Sequence, residues 1–382
     1  MTPQAAQKPA FDNGCVQLFH ASARDMSFLA DESVDCCVTS PPYWGLRDYG
    51  LEPEIWDDGW RGTLGLEPTP QLYVKHLAQI FNEVWRVLKA AGVVFLNLGD
   101  SYAGSGGAHT NSNAPGISNS FERAGFDHGR RGTTSTVSEV DRGRATGEHG
   151  LKPKDLVGIP WRVAFALQDT GWWLRSDIIW SKPNPLPESV TDRPTKSHEY
   201  LFLLTKSERY YYNQDAIREA YEPASLPRAL RGLDTNKWSD GAPGSTAHSI
   251  SQPRSNQRKV WQAAQGGGGS GFEGHSGYVD SNGRLLINPL GRNRRSVWTI
   301  PTQPYPEAHF ATFPEALVSP CILAGCPQGK LVLDPFSGAG TTCLVAQKLG
   351  RRAVGVDLSE AYTRLAIKRL EAMPLPLGMT GG

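Results

Sequence analysis

The sequence contains no long apolar run. No stretch approaches the roughly 18 residues that a membrane helix needs, and Met1 to Lys8 is polar where a signal peptide would be apolar. We therefore expect a soluble, intracellular protein with no membrane partner. A chain of 382 residues can form one large domain with an inserted region, or two domains.

Cysteine is also scarce, with six residues in the whole chain. They are scattered or adjacent, and Cys36-Cys37 falls within a predicted strand, where small buried side chains are expected. Cys321 and Cys326 lack the second pair that a zinc site would need. We expect no structural metal and no disulfides.

Net charge is small, at +1, which argues against a general polyanion binder. The charge is uneven, because residues 221–300 carry ten Lys or Arg against five Asp or Glu. This excess could contact nucleic-acid phosphates, or it could belong to a solvated loop. The basic residues that we assign to phosphate contacts are Arg258, Lys259, Arg292, Arg294 and Arg295.

Two segments have too few apolar residues to fold tightly alone, Ala103 to Gly150 and Asp240 to Asn282. The second contains Gly266 to Gly269, and it could either become ordered on a partner or serve as a linker.

One motif follows the apolar run Val34 to Val38, which predicts a strand. It is Thr39-Ser40-Pro41-Pro42-Tyr43-Trp44, and its two prolines fix φ and favour an extended Ser40. A hydroxyl, a carbonyl and an aromatic face held at a strand's carboxyl end suit a flat base. The alternative is an ordinary proline-rich turn.

A second motif lies near the other end of the chain, at Lys330-Leu-Val-Leu-Asp334-Pro-Phe-Ser-Gly338-Ala-Gly340-Thr-Thr342. The glycines allow the backbone to approach a ligand, and Asp334 can accept hydrogen bonds from it. Arg352 to Val356 predicts a second strand, followed by Asp357, which suits ribose hydroxyls. The spacing favours a nucleoside-binding βαβ unit over a purely structural turn.

These motifs resemble those of the DNA amino-methyltransferases, which transfer a methyl group from S-adenosylmethionine to cytosine N4 or adenine N6. Ser40 to Tyr43 is similar to their catalytic tetrapeptide, and Asp334 to Thr342 to their methionine-side cofactor motif. The order, with the catalytic loop first, resembles the permuted β group. The similarity covers roughly residues 15–103, 150–215 and 296–371.

The resemblance implies an α/β fold: a doubly wound, Rossmann-like methyltransferase sheet, circularly permuted in motif order, with an inserted target-recognition region. We assign the catalytic part to 11–212, including a flexible insert at 103–150, and a partly flexible recognition region to 213–295. The cofactor-binding part is 296–371, and 372–382 is a tail.

Apolar periodicity locates the other elements. Residues between Leu77 and Leu88 recur at helical spacing and predict a helix over Pro70 to Ala90, ending at Gly92. Further predictions are strands at Val93 to Leu98, Trp172 to Trp180 and Tyr200 to Thr205, a helix at Leu156 to Asp169, and a final helix capped by Ser359.

The catalytic residues that the resemblance implies are Ser40, Pro41, Pro42 and Tyr43. An exocyclic amino group is a poor nucleophile because its lone pair is conjugated, and acceptors for its N–H groups favour a more tetrahedral nitrogen. The Ser40 hydroxyl and the Pro41 or Pro42 carbonyl are the candidate acceptors. Tyr43 would stack on a base flipped from the duplex, and Trp44 could either extend that platform or pack against the helix.

Cofactor contacts follow from the same resemblance. Thr341 is among them, although Thr341 and Thr342 could instead cap the following helix. The full set is Asp334, Phe336, Gly338, Gly340, Thr341, Asp357, Phe310, Phe313 and Pro314. Arg193, His198 and Glu199 lie in another similar segment, near the target pocket, and none is assigned as a general base.

The sequence therefore predicts a site-specific methyltransferase that acts on cytosine N4 in double-stranded DNA. A serine at the first tetrapeptide position is commoner in the resembling cytosine enzymes, and the more basic cytosine ring needs less help from a charged acceptor. Alternatives are adenine N6, an RNA or protein amide nitrogen, or a non-catalytic nucleic-acid-binding module. We expect a monomer or homodimer in the cytoplasm of a bacterial, archaeal or phage-infected cell, with a restriction endonuclease, if any, on a separate chain.

Overall fold

In the computed structural model the chain is described over residues 7–103, 151–221, 288, 290–303 and 313–373. Arg258, Lys259 and Phe310 lie outside these residues, as do most of both low-apolar segments and the predicted tail from 374 onward.

The described residues form eleven strands and five α-helices. The strands are β1 (Phe11–Asp12), β2 (Val16–His20), β3 (Val34–Thr39), β4 (Glu54–Ile55), β5 (Arg61–Gly62), β6 (Leu88–Leu98), β7 (Trp173–Ser181), β8 (His198–Thr205), β9 (Val297–Thr299), β10 (Leu331–Asp334) and β11 (Arg352–Asp357). The helices are α1 (Pro70–Val87), α2 (Ile159–Asp169), α3 (Glu315–Gly325), α4 (Thr341–Lys348) and α5 (Glu360–Glu371).

Nine of these strands form one sheet, in the order β1-β2-β11-β10-β3-β6-β8-β7-β9. The neighbours from β2 to β6 are parallel, whereas β8 is antiparallel to both β6 and β7. Strands β10 and β11 come last among the strands yet lie between β2 and β3. The sheet thus confirms the predicted α/β class with its permuted order.

Helix α1 begins where the sequence predicts and ends earlier. The Thr69 hydroxyl caps it by accepting from the Leu72 N–H, and Pro70 occupies the first turn. The prediction that the helix continues to Ala90 is wrong. Leu88 is extended, buried and paired with Val34 of β3, so the last apolar residue of the helical pattern is the first residue of β6.

Strands β7 and β8 lie within two residues of their predicted positions, whereas β6 ends at Leu98 as predicted but begins at Leu88 instead of Val93. Strands β7 and β8 are antiparallel, and the Ser359 hydroxyl caps α5 by accepting from the Tyr362 N–H. Cys36 and Cys37 are buried thiols within β3. Among the described residues, no helix is long and apolar enough to cross a membrane.

Two compact units divide the chain: Met1–Ala216 with Arg295–Gly382, and Ile217–Arg294. Within the second unit, Glu219 and Arg292 form an antiparallel bridge, and their side chains form an ion pair at 3.2 Å. The limits of this unit lie close to those of the predicted recognition region, whose role stays a prediction.

A remote carboxylate caps helix α2, which begins three residues later than the sequence predicts. Gly158 precedes the helix in the left-handed conformation and offers no side-chain cap. The Asp100 Oδ1 atom instead accepts from the N–H groups of Gly158 at 2.9 Å and Ile159 at 3.0 Å. Asp100 follows β6, so this cap fastens the helix to the end of a central strand.

We predict that Asp100→Ala destabilises the protein, because it leaves buried helix N–H groups without an acceptor. The expected loss in the free energy of unfolding is about 1–3 kcal/mol. Asp169→Ala is the matched control, since that exposed carboxylate lies at the other end of α2, where a negative charge is unfavourable. Denaturant unfolding of both variants measures the difference, and equal midpoints would contradict the capping role.

Candidate active site

The carboxyl ends of three neighbouring strands carry the sequence motifs. Strand β3 ends immediately before Ser40, β10 ends at Asp334 and β11 ends at Asp357. Because these strands are parallel, their ends lie at one edge of the sheet, where open α/β sheets bind ligands.

A buried hydrogen bond joins the two motifs. The Thr39 hydroxyl donates to Asp334 Oδ1 at 2.7 Å, although 295 positions separate the residues. The same oxygen accepts from the Phe336 N–H at 3.1 Å. Both side chains of the Thr39–Asp334 bond are fully buried, so the bond fixes the carboxylate against the strand that carries Ser40.

The other oxygen of Asp334 has no hydrogen-bond partner among the described residues. Burial raises the pKa of Asp334 from 3.8 to about 6, and the nearby hydroxyls of Thr39 and Thr342 and the Phe336 N–H oppose part of that rise. The shift corresponds to about 3 kcal/mol in favour of the protonated form. A buried carboxylate with one unoccupied oxygen fits a site for a cationic ligand group.

The two glycines of the second motif serve different purposes. Both have positive φ, +49° at Gly338 and +75° at Gly340. A side chain at Gly340 would lie 2.8 Å from the Ala366 methyl of α5, whereas a Cβ at Gly338 would have no atom closer than 4.0 Å. Gly340 therefore permits close helix packing, and Gly338 leaves open space beside the loop.

Asp357 binds the Gly338 loop to the end of β11. Its two carboxylate oxygens accept from the N–H groups of Gly338 at 2.8 Å and Ser359 at 2.7 Å. Burial raises the pKa of Asp357, and these backbone bonds oppose the rise. Each oxygen retains a second lone pair, so the carboxylate can also accept from ribose hydroxyls.

The threonines after Gly340 have protein partners. The Thr341 hydroxyl accepts from Arg369 of α5 at 3.1 Å, and the Thr342 hydroxyl donates to the Val38 carbonyl at 3.2 Å. Neither side chain caps α4, contrary to the alternative that the sequence left open. The Thr341 hydroxyl keeps its own hydrogen, so it can still donate to a cofactor.

The remaining described cofactor candidates are apolar. Phe336 is half-buried and packs against the core, and Phe313 is half-buried just before Pro314. Pro314 is buried and precedes the first residue of α3, with its carbonyl accepting from Leu317.

Two tyrosines that the sequence did not single out lie near Asp357. The ring of Tyr49, six residues after Tyr43, meets the ring of Tyr362 edge-on, with centroids 6.4 Å apart. Tyr362 lies in the first turn of α5, just after the Ser359 cap that contacts Asp357. Burial raises the pKa of Tyr362 to about 12, and the charges of Tyr49 and Asp357 contribute.

The tetrapeptide Ser40 to Tyr43 forms a polar cluster with β6. The Ser40 hydroxyl lies 3.1 Å from the Tyr43 hydroxyl and 3.4 Å from Asn97 Oδ1. Asn97 donates through Nδ2 to the Tyr200 carbonyl at 3.0 Å, which directs its Oδ1 towards both hydroxyls. A Cβ at Gly99 would lie 2.6 Å from the Tyr43 ring, so glycine makes room for this ring position.

The cluster continues to β8 through a carboxylate. The Tyr43 hydroxyl donates to Glu199 Oε2 at 2.7 Å, and Lys182 forms an ion pair with Glu199 Oε1. The Lys182 amine also lies over the Trp180 ring, 4.3 Å from its centroid. Burial raises the pKa of Tyr43 well above its ordinary value, and the Glu199 charge adds to this, so the phenol stays protonated.

The structure distinguishes between the two proline carbonyls. The Pro42 carbonyl accepts from the buried Tyr73 hydroxyl at 2.9 Å, which fixes the loop to helix α1. This bond favours Pro41 over Pro42 as the carbonyl that faces a base.

Trp44 packs against protein, which is one of the two alternatives for that residue. It is buried, and its indole N–H donates to the Glu67 carbonyl at 2.9 Å. The Glu67 carboxylate in turn contacts Nδ1 of buried His76 at 3.0 Å, and Asp58 contacts Nε2 at 3.1 Å. This buried cluster anchors the segment that follows the catalytic loop.

The described basic residues that we assigned to phosphate contacts differ in their exposure. Arg292 is engaged in the ion pair with Glu219, whereas the Arg295 side chain is exposed and its carbonyl accepts from Trp298. Arg294 is half-buried.

Comparison with known proteins identifies the family. The profile of a family described as DNA methylase, comprising N6 and N4 methyltransferases, matches residues 34–368. The chain belongs to this family. The membership confirms the resemblance on which the sequence predictions rest, and the chain is a DNA methyltransferase that uses S-adenosylmethionine.

Individual relatives extend over almost the whole chain. The type II methyltransferase M.SmaI of Serratia marcescens is 40% identical over 347 residues, which cover 90% of this chain and 86% of that one. M.ScaI of Streptomyces caespitosus is 42% identical over 378 residues, covering 97% and 86%. The PvuII DNA methyltransferase, described as cytosine-N4-specific, has a similar fold, with a TM-score of 0.54 and 14% sequence identity. The match covers 98% of this chain and 92% of that one.

Several residues of the cluster around Tyr43 were not assigned a role from the sequence. Asn97 is the polar residue within the apolar run Val93 to Leu98, and Glu199 is the second residue of strand β8, just before its apolar run. A polar side chain inside a buried strand was the available signal. Their convergence on Tyr43 depends on the pairing of β6 with β8, which no local pattern specifies.

If Asp334 contacts the cationic cofactor, its ionised form should bind better, so we predict that cofactor affinity rises with pH through about 6. The folded protein binds this proton more tightly than the unfolded chain does, so the carboxyl itself costs stability as the pH rises from about 4 to 6. Calorimetric titration across this range should show the rise in the parent protein and a flat, weaker profile in Asp334→Asn.

Asp169→Asn, an exposed carboxylate on α2, serves as the control and should retain the parent profile. An unchanged pH dependence in Asp334→Asn would remove Asp334 from the cofactor site.

Proposed function

We propose that this DNA methyltransferase modifies the N4 amino group of cytosine at a specific site in double-stranded DNA. The observation that carries this proposal is the neutral character of the acceptor at the end of β3: Ser40 Oγ lies 3.4 Å from the uncharged Asn97 Oδ1 of β6. Cytosine N3 is more basic than adenine N1, so its amino group needs less help from a charged acceptor. The Ser40 hydroxyl and a backbone carbonyl suffice for that purpose.

The cofactor would be held at the ends of β10 and β11. Asp334 offers an unoccupied carboxylate oxygen, Gly338 leaves open space, and Asp357 retains acceptor capacity for ribose hydroxyls. The rings of Tyr49 and Tyr362 offer apolar surface beside Asp357 for the adenine. When bound here, S-adenosylmethionine supplies an electrophilic methyl group.

The residues of β3 and its loop position the base. Ser40 accepts from one amino N–H, the Pro41 carbonyl accepts from the other, and the Tyr43 ring stacks on the flipped base. These acceptors favour a pyramidal nitrogen with an available lone pair. The protein supplies orientation and electrostatics, and no covalent enzyme intermediate is needed.

DNA recognition is assigned to residues 213–295. The support is the separate compact unit Ile217–Arg294 and the local excess of basic residues in the sequence. Arg295 is a candidate for a phosphate contact because its side chain is exposed, whereas that of Arg292 is half-buried. We also propose a restriction–modification context, in which any endonuclease is a separate chain.

Product identification tests the base. DNA methylated in vitro by the purified protein should yield N4-methylcytosine on digestion and mass spectrometry of the nucleosides. The Ser40→Ala protein, prepared in parallel, provides the background. If N6-methyladenine is the sole product, the cytosine assignment is wrong, whereas the family and the cofactor are unaffected.

The proposed roles of Ser40 and Tyr43 predict that their substitution affects methyl transfer but not cofactor binding. Ser40→Ala and Tyr43→Ala should each lower the single-turnover rate of methyl transfer on duplex DNA, because their partner is the base. Both should bind S-adenosylmethionine with parental affinity in calorimetric titration. A variant that transfers methyl groups at the parental rate would disprove the role of the side chain it lacks.

A further inference from the structure

Four side chains around the catalytic loop form a directed chain of hydrogen bonds. Lys182 donates to Glu199, the Tyr43 hydroxyl lies 2.7 Å from Glu199 Oε2, and the Ser40 hydroxyl lies 3.1 Å from the Tyr43 oxygen. Lys182 and Glu199 are 18% and 14% exposed, so their ion pair is largely shielded from solvent.

The direction of each bond follows from the groups present. A carboxylate paired with Lys182 can only accept, so the hydrogen in the short contact with Glu199 belongs to Tyr43. Asn97 also presents an acceptor, because its Nδ2 group is committed to the Tyr200 carbonyl. Tyr43 has one hydrogen, and a charged acceptor at 2.7 Å competes better for it than an amide at 3.0 Å.

The direction of the Tyr43 hydrogen determines how Ser40 is hydrogen-bonded. With the Tyr43 hydrogen directed at Glu199, the phenol oxygen is left as an acceptor for the Ser40 hydrogen. Asn97 Oδ1 offers a second acceptor on the same side, at 3.4 Å. The Ser40 hydrogen is therefore drawn into the protein, and the lone pairs of its oxygen are left for an incoming N–H group.

We propose that Glu199, held by Lys182, is a positioning residue that acts through Tyr43 to make Ser40 a hydrogen-bond acceptor. Without the carboxylate, the Tyr43 hydrogen loses its charged acceptor and turns to Asn97 Oδ1 at 3.0 Å, where it competes with the Ser40 hydroxyl for the same oxygen. The Ser40 hydrogen is then held inward less firmly and can turn towards the amino group. Linked hydrogen bonds also polarise one another, so the carboxylate strengthens the Ser40 oxygen as an acceptor. A neutral serine thereby gains support from a charge two hydrogen bonds away.

This inference rests on the proposed function in one respect: the substrate atom must be an exocyclic amino group that donates to Ser40. It does not depend on which base carries that group, because cytosine and adenine both present N–H donors. A wrong base assignment would appear in the nucleoside analysis and leave the present test intact.

The test is a double-mutant cycle with Glu199→Gln and Tyr43→Phe, measured as single-turnover methyl transfer on duplex DNA. Glu199→Gln should lower the rate roughly 10- to 100-fold, the scale on which loss of an outer-shell partner acts at metal sites. In the Tyr43→Phe background the same change should have almost no further effect, because the hydroxyl that transmits it is absent. Cofactor and DNA affinities should be unchanged.

Asp177→Asn is the matched control. It makes the same carboxylate-to-amide change on β7, the strand paired with β8, at an exposed position. It should retain the parental rate.

Glu199→Asp separates the hydrogen bond from the charge. It keeps the negative charge near Lys182 but withdraws it from the Tyr43 hydroxyl by one methylene, so its rate should fall to a similar extent. Thermal unfolding of each variant verifies the fold. Parental rates in Glu199→Gln or Glu199→Asp, or losses that simply multiply in the double variant, would overturn the proposal.

Discussion

The hydrogen bond from Thr39 to Asp334 is the contact on which the arrangement of the site depends. It crosses from the strand that ends in the catalytic loop to the strand that ends in the cofactor loop, at 2.7 Å and out of contact with solvent. Because β3 and β10 are parallel neighbours, this contact sets the spacing between the two halves of the site. Asp357 extends the same edge by binding the Gly338 loop to β11.

That arrangement carries an energetic cost in the absence of ligand. Burial raises the pKa of Asp334 to about 6, and its Oδ2 atom has no partner in the described part of the chain. A core optimised for stability alone would satisfy both oxygens. Active sites commonly retain such a cost because the ligand removes it, and the unpaired oxygen therefore supports the proposal that Asp334 contacts the cofactor.

The sequence predicted the positions in the fold that depend on local chemistry. Ser40 follows strand β3, Asp334 and Asp357 end strands β10 and β11, and Ser359 caps its helix as a serine at that position should. Local periodicity failed at Leu88, which continues the helical pattern but pairs with Val34 in the sheet. The steric need for glycine at position 340 could not be predicted either. The atom that excludes a side chain there is the Ala366 methyl, which belongs to helix α5.

The polar cluster around Tyr43 could not be predicted from the sequence, because its residues come together only in the folded sheet. Asn97 and Glu199 lie on two strands that are distant in sequence, and only the antiparallel pairing of β6 with β8 brings both to the same hydroxyl. Permutation of the chain order leaves this geometry intact, since a sheet specifies neighbours and strand direction, not the order in which strands are synthesised. A neutral serine at the strand end and a carboxylate on the adjoining hairpin are thus separate sequence features that act as one acceptor system.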